Sequence, residues 1–269
     1  MIIDSHVHIG GGLWDMDMPE EVVLESMRKY NIDACIVSNC DSAEFHHDLS
    51  LLPDSMQVDE KSSLERAIRF AKENEGKIYA AYWCKPHTGF LTEEIKKLVE
   101  ENQQYLFALK VHPYHSNLAF DDEKMIPYLD LAVQYNWPVI IHTGNSYNDS
   151  PERVLKMAQK YPQLKFVMAH MGLGTDNQLA IDLMAQADNL YADTTWVPIE
   201  TTLEVIKRYG SKRVMFGTDS PIDGLDTYDC NKEGEPSLYR LYFNDLKEMI
   251  SQEDYENLMW KTAKEVFNI

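Results

Sequence analysis

Short apolar runs alternate along the chain with longer stretches in which apolar residues recur every three to four positions, the periods of buried strands and amphipathic helices. The strand-like runs cover residues 2–8, 34–38, 78–83, 106–111, 139–141, 166–169, 190–193 and 214–216. Helical patterns separate them at 19–30, 62–75, 92–102, 123–136, 151–161, 177–187 and 199–209, with two more at 238–250 and 252–267. Val22, Val23, Leu24 and Met27 supply the apolar face of the first helix. Ser150-Pro151-Glu152 and Thr92-Glu93-Glu94 read as helix starts, and Asn31, Asn74-Glu75-Gly76, Asn136 and Gly210 read as stops.

Strict strand–helix alternation predicts a parallel sheet, and eight units of about 30 residues match a (β/α)8 TIM barrel of one domain, residues 1–269, with an additional C-terminal helix. An open doubly wound sheet is the alternative. Two connections exceed the usual length and both follow a strand C-terminus, residues 40–61 and 221–237. Each reads as a lid or specificity loop, or as a plain surface excursion.

Composition removes several function classes. The chain has 269 residues, 44% of them hydrophobic, and a formal net charge of -19, which argues against a nucleic-acid or anionic-membrane partner. A small anionic substrate remains compatible, because a few cations inside a pocket outweigh a screened surface charge. Cys35, Cys40, Cys84 and Cys230 have no CxxC spacing and no disulfide framework. Together with the lack of a signal peptide or a spanning apolar run, this leads to the expectation of a cytoplasmic protein. A homo-oligomer is left open.

The chemistry concentrates at strand ends. Asp4-Ser5-His6-Val7-His8, Lys110-Val111-His112, Ile141-His142, Ala169-His170 and Gly217-Thr218-Asp219 each lie at or just past the C-terminal end of an apolar run. In a parallel barrel those ends form one rim, where active sites are built. Side chains alternate along a strand, so His6 and His8 point the same way and converge on one ion. Two neutral imidazoles suit zinc, and His142 and Asp219 are the natural completion of the shell. Asp4, two residues before His6, reads either as a partner holding an imidazole tautomer or as a structural acid. A lone strand-end histidine is usually structural; the joint occurrence carries the metal reading. His46, His47, His87 and His115 read as loop residues, and Asn39, Trp83, Lys85, Asp193 and Trp196 as groups near the rim, Trp196 as a substrate-binding one.

These segments resemble the amidohydrolase superfamily and, within it, the amidohydrolase type two family of aminocarboxymuconate-semialdehyde decarboxylase and related hydrolases. The resemblance is carried by residues 2–10, Leu109-Lys110-Val111-His112-Pro113, residues 138–144, Ala169-His170-Met171-Gly172 and residues 216–221. It implies that His6, His8, His142 and Asp219 bind one divalent metal, that His170 orients or deprotonates its water, and that Asp219 is catalytic as well as a ligand. In some relatives a strand-four lysine is carboxylated and bridges two metals, which would make Lys110 a ligand. The favoured reading is one ion, with Lys110 and His112 receiving a substrate carboxylate.

The function expected is metal-dependent hydrolysis of a small amide, lactone or ester through metal-activated water. Metal-dependent, non-oxidative decarboxylation of an unsaturated or aromatic acid is the alternative, since it uses the same shell. A non-catalytic binding barrel is the third reading, and retention of every ligand argues against it.

Overall fold

In a computed structural model, which describes residues 1–11, 18–222 and 242–269, every apolar run of the sequence becomes a strand of one parallel sheet. The strands are β1 (Ile3–Ile9), β2 (Ala34–Asn39), β3 (Ile78–Trp83), β4 (Leu106–Val111), β5 (Val139–Gly144), β6 (Phe166–Leu173), β7 (Leu190–Asp193) and β8 (Val214–Met215), side by side in chain order. The crossovers carry α1 (Glu20–Tyr30), α2 (Glu60–Glu73), α3 (Glu93–Asn102), α4 (Ile126–Tyr135), α5 (Pro151–Lys160), α6 (Gln178–Leu183) and α7 (Ile199–Tyr209). Beyond β8 come α8 (Leu246–Met249), α9 (Gln252–Glu256) and α10 (Thr262–Phe267), the last two joined by a π-helical turn over Asn257–Lys261. The helix expected at 238–250 and the loop expected at 221–237 fall partly outside the described residues, and Cys230 lies wholly outside them.

The sheet curls until its ends meet. Ser5 N donates to Phe216 O at 2.9 Å, Asp219 N to His6 O at 2.8 Å and His8 N to Ser220 O at 2.8 Å. An open sheet would leave these groups unpaired at two edges, so the barrel stands and the doubly wound alternative falls.

Helix ends follow local chemistry. Thr92 accepts the Ile95 N–H, and Asn31 and Asn136 close their helices in the left-handed conformation, both at φ 54°. Helix α2 begins two residues before the expected start because Asp59 caps it, accepting the Ser62 N–H at 2.9 Å.

Strand alternation divides the core in two. Ile3, Ile36, Ala81, Ala108, Ile140, Val167 and Met215 fill the lumen, whereas Val37, Leu109, Ile141 and Met168 face the helices. Ala263, Val266 and Phe267 of α10 pack on the lumen residues, and Lys165, just before β6, donates to Glu265 O at 2.9 Å. The C-terminal helix therefore closes the end where the strands begin. The opposite rim is left for chemistry.

Part of the 40–61 connection is fixed against that rim. Glu44 N and Phe45 N both donate to His115 O, at 3.0 and 2.9 Å, and the buried Glu44 carboxylate accepts the His87 N–H at 3.1 Å. Cys35 and Cys84 are buried free thiols. Among the described residues no helix is long and apolar enough to cross a membrane.

Candidate active site

Strand β1 departs from simple alternation between Asp4 and Val7, where its register against β2 shifts. Below the irregularity Ile3 faces the lumen; above it His6 and His8 do, with Val7 turned to the outer layer. Asp4 is thereby taken off the face of His6. Its carboxylate accepts the Thr218 N–H at 3.0 Å, the Thr218 hydroxyl and the His6 backbone N–H at 3.2 Å. Of the two readings of Asp4, the structural acid stands and the partner holding an imidazole tautomer falls, because period-two phase does not survive a bulge.

Asp219 enters from the segment after β8. Its Oδ1 lies 2.9 Å from His8 Nε2 and 3.4 Å from His6 Nε2, and its Oδ2 accepts the Trp196 indole N–H at 2.8 Å. Gly217 permits the close approach, because a Cβ there would stand 2.9 Å from Thr195 Oγ1 and 3.2 Å from His6 Cβ. His170, Trp196 and Asp219 adopt φ values of 65°, 58° and 63°, a left-handed conformation that costs a non-glycine residue about 1–3 kcal/mol. Three candidate site residues are thus held by constrained backbone.

Hydrogen bonds away from the cluster set the imidazole tautomers. His6 Nδ1 donates to Asp193 Oδ2 at 2.8 Å, and His170 Nδ1 to Thr195 O at 3.3 Å; carboxylate and carbonyl oxygens only accept, so both rings keep a lone pair on Nε2. His8 Nδ1 pairs with Ser38 Oγ at 3.0 Å. His112 is arranged the other way, since its Nδ1 accepts the His115 N–H at 3.3 Å. Its Nε2 therefore carries the proton, which suits a hydrogen-bond donor to substrate rather than a metal ligand.

Among the described residues, His6, His170 and Asp219 form a group whose ligand atoms all lie within 4.8 Å of one another. His142 stands beside it, with its ring 4.6 Å from that of His170, 3.8 Å from that of His112 and its Nε2 3.7 Å from Asp149 Oδ2. Lys110 is fully buried and donates from Nζ to His6 Nε2 at 2.7 Å, with the Trp83 ring 5.7 Å away. His8, Lys110, His112, His142, His170 and Asp219 all border a cavity of about 470 Å³, within the range of small-molecule sites. Trp83, Trp196 and Tyr114 give it aromatic walls.

Electrostatics match the donor set. Burial, then the Lys110 charge, holds His6 well below the usual imidazole value, and burial does the same for His142. Burial alone would raise Asp219, but the hydrogen bond from His8 and the electrostatic pull of the neighbouring rings outweigh it and hold the carboxyl well below the usual carboxylate value. Burial brings Lys110 down to about 8 against the pull of Asp219 and Asp193. Neutral imidazoles beside an ionised carboxylate are the forms a divalent cation takes.

Sequence reasoning under-read several residues. His115 is 2% exposed and borders the cavity, as do His47 at its exposed edge and Asp149 beside His142. Asp193 was legible as a rim residue but not as the partner of His6. Asp149 drew no reading, standing just before the helix start Ser150-Pro151-Glu152.

No curated protein matches the chain. Among solved structures, 5-carboxyvanillate decarboxylase from Novosphingobium aromaticivorans, complexed with manganese and 4-hydroxy-3-methoxy-5-nitrobenzoic acid, aligns with a TM-score of 0.72 at 11% identity, over 100% of this chain and 96% of that one. The 2,6-dihydroxybenzoate decarboxylase from Rhizobium aligns at 0.70 with 13% identity, over 99% and 98%. A probable 2-pyrone-4,6-dicarboxylic acid hydrolase from Acinetobacter baumannii with citric acid bound aligns at 0.67 with 11% identity, over 100% and 99%. At these identities the likeness shows a shared barrel fold. The family assignment rests on sequence: residues 63–269 match the type 2 family model described as amidohydrolase, and the chain belongs to that family.

Proposed function

We propose that the chain is a metal-dependent hydrolase of a small amide, lactone or ester, with one divalent ion held by His6, His8, His142 and Asp219. The observation carrying this reading is the Asp219 carboxylate, 2.9 Å from His8 Nε2 and 3.4 Å from His6 Nε2 on the cavity wall. Donors each about 2.0–2.2 Å from one ion, at angles of roughly 90–109°, stand roughly 2.8–3.6 Å apart, so both pairs fit. Zinc suits the imidazole-rich set, with manganese as the alternative. When bound, such an ion polarises a carbonyl and activates water at neutral pH.

The protein's own groups supply the rest. Asp193 and Thr195 hold His6 and His170 with Nε2 lone pairs inward. His170 accepts and returns a proton at Nε2, and Asp219, steadied by the Trp196 indole, serves as the second acid–base group. Lys110 Nζ and the His112 Nε2–H donate to substrate oxygens, favouring a substrate that carries a carboxylate.

A second reading, non-oxidative decarboxylation of an aromatic or unsaturated acid, is favoured by one feature. Trp83 lies parallel to His112, at 9° and 5.4 Å, beside the Lys110 cation, a setting suited to a planar carboxylated ring.

Metal analysis and product chemistry test both. The purified protein should hold one ion per chain and lose it in His6→Ala and Asp219→Ala, with activity falling at least about 100-fold. Loss of metal in His142→Ala with retention in His170→Ala supports the assignment; the reverse exchanges their roles. Reaction in ¹⁸O-water should label the product of a hydrolase, whereas release of carbon dioxide without label would establish the decarboxylase. Absence of bound metal, with activity unchanged in both ligand variants, would end the metalloenzyme reading.

A further inference from the structure

We propose that Asp193 is a positioning residue for the metal site: from β7 its carboxylate fixes His6, on β1, in the tautomer whose Nε2 lone pair faces the other ligands. The proposal rests on the metal-dependent reading above. Asp193 is 0% exposed, so water does not compete for its oxygens. Oδ2 accepts the His6 Nδ1–H at 2.8 Å, while Oδ1 accepts the backbone N–H groups of His170 and Thr195, each at 3.1 Å. One side chain therefore orients the His6 imidazole and tethers the main chain of two further elements of the site.

The chemistry is one-directional. A carboxylate oxygen has no proton to give, so the proton of a neutral His6 ring resides on Nδ1 and the lone pair on Nε2. Lys110 Nζ points its proton at that same Nε2, at 2.7 Å, as this tautomer requires. The isosteric change Asp193→Asn separates the two functions of the side chain. Its amide oxygen still accepts the His170 and Thr195 N–H groups, but its NH2 faces His6 Nδ1 and drives the ring proton to Nε2, where it blocks the ligand lone pair.

The test uses the full chain, stripped of metal and titrated with zinc(II) against a competing chelator, together with ¹⁵N-histidine NMR in which His6 is assigned through His6→Gln. Asp193→Asn should weaken zinc binding about 10- to 100-fold. Thermal unfolding of the zinc-free protein should move by only a few degrees, and the His6 signal should change from the Nδ1–H to the Nε2–H tautomer. Unchanged zinc affinity or an unchanged His6 tautomer in the variant overturns the proposal. If the variant does not fold, the wild-type spectrum decides, because an Nε2–H His6 there contradicts the assigned role. A wild-type protein that binds neither zinc nor manganese would instead defeat the metal reading, and the His6 spectra would still judge the Asp193–His6 interaction.

Discussion

Asp4 and Thr218 join the first strand of the barrel to the segment that follows the last: the Asp4 carboxylate accepts the Thr218 backbone N–H at 3.0 Å and its hydroxyl, and the same carboxylate accepts the His6 N–H at 3.2 Å. A single buried side chain thus sets the height of the strand carrying His6 against the segment carrying Asp219. Replacing Asp4 by Ala leaves those buried donors without a partner, so urea denaturation should show a loss of about 2–4 kcal/mol. Asp4→Asn keeps the acceptor for both N–H groups and turns a donor toward Thr218 Oγ1, which also accepts the Ser220 N–H at 2.9 Å. It should cost about 1 kcal/mol or less. Equal losses in both variants would show that the charge, rather than the hydrogen-bond pattern, holds the seam.

How far the sequence reached depends on whether the controlling signal was local. The strands were legible because their apolar runs are continuous, and His6 and His8 were placed together because they share one side of the bulge. Asp4 was set on their face by the same alternation, since neither the register shift against β2 nor the bond to Thr218, 214 positions away, leaves a local signal. Asp193 was visible at a strand end, yet its bond to His6 spans 187 positions and exists only once the barrel closes. His115 carried no periodic signal; it is buried because Phe45 O accepts from its Nδ1 at 2.7 Å across a long loop.

Lys110 separates one-metal from two-metal chemistry. Its Nζ donates to His6 Nε2 while the chain around it is fully buried, so an apolar replacement of similar length should be accommodated. If Lys110 receives a substrate carboxylate, Lys110→Met should retain one ion per chain and raise KM about 10- to 100-fold, the range of a lost charge-assisted hydrogen bond. Elemental analysis and steady-state kinetics read the two quantities separately. A fall from two ions to one on substitution would instead identify a carboxylated bridge.

On the outside of the barrel, Arg66 forms a fork with Glu20, Nε to Oε1 and Nη2 to Oε2 both at 2.9 Å, and reaches Asp41 Oδ2 at 3.0 Å. The hydrogen bond from Arg66 holds the Glu20 carboxyl below its usual value, so the folded chain keeps Glu20 ionised more strongly than the unfolded chain does. The contribution is present above the unfolded value near 4.5 and is lost as pH falls through the lowered folded value. Arg66→Ala should cost about 1 kcal/mol or less at pH 7, because both side chains are about a quarter exposed. The difference from wild type should shrink in acid; a difference that grows as pH falls below 4 would contradict the assignment.

Trp196 acts on the site through its ring nitrogen. It is 38% exposed, so its contribution to core packing is limited, but its Nε1 donates to Asp219 Oδ2 at 2.8 Å on the oxygen opposite the one facing His8. Removing that donor frees one end of the carboxylate to rotate away from the orientation in which Oδ1 meets both imidazoles. Trp196→Phe preserves an aromatic wall and deletes the hydrogen bond. Metal affinity and kcat should each fall about tenfold, the effect of losing an outer hydrogen-bond partner of a ligand, while the thermal unfolding midpoint stays within a few degrees. A rise in KM with metal affinity and kcat unchanged would show that Trp196 contacts substrate and does not orient Asp219.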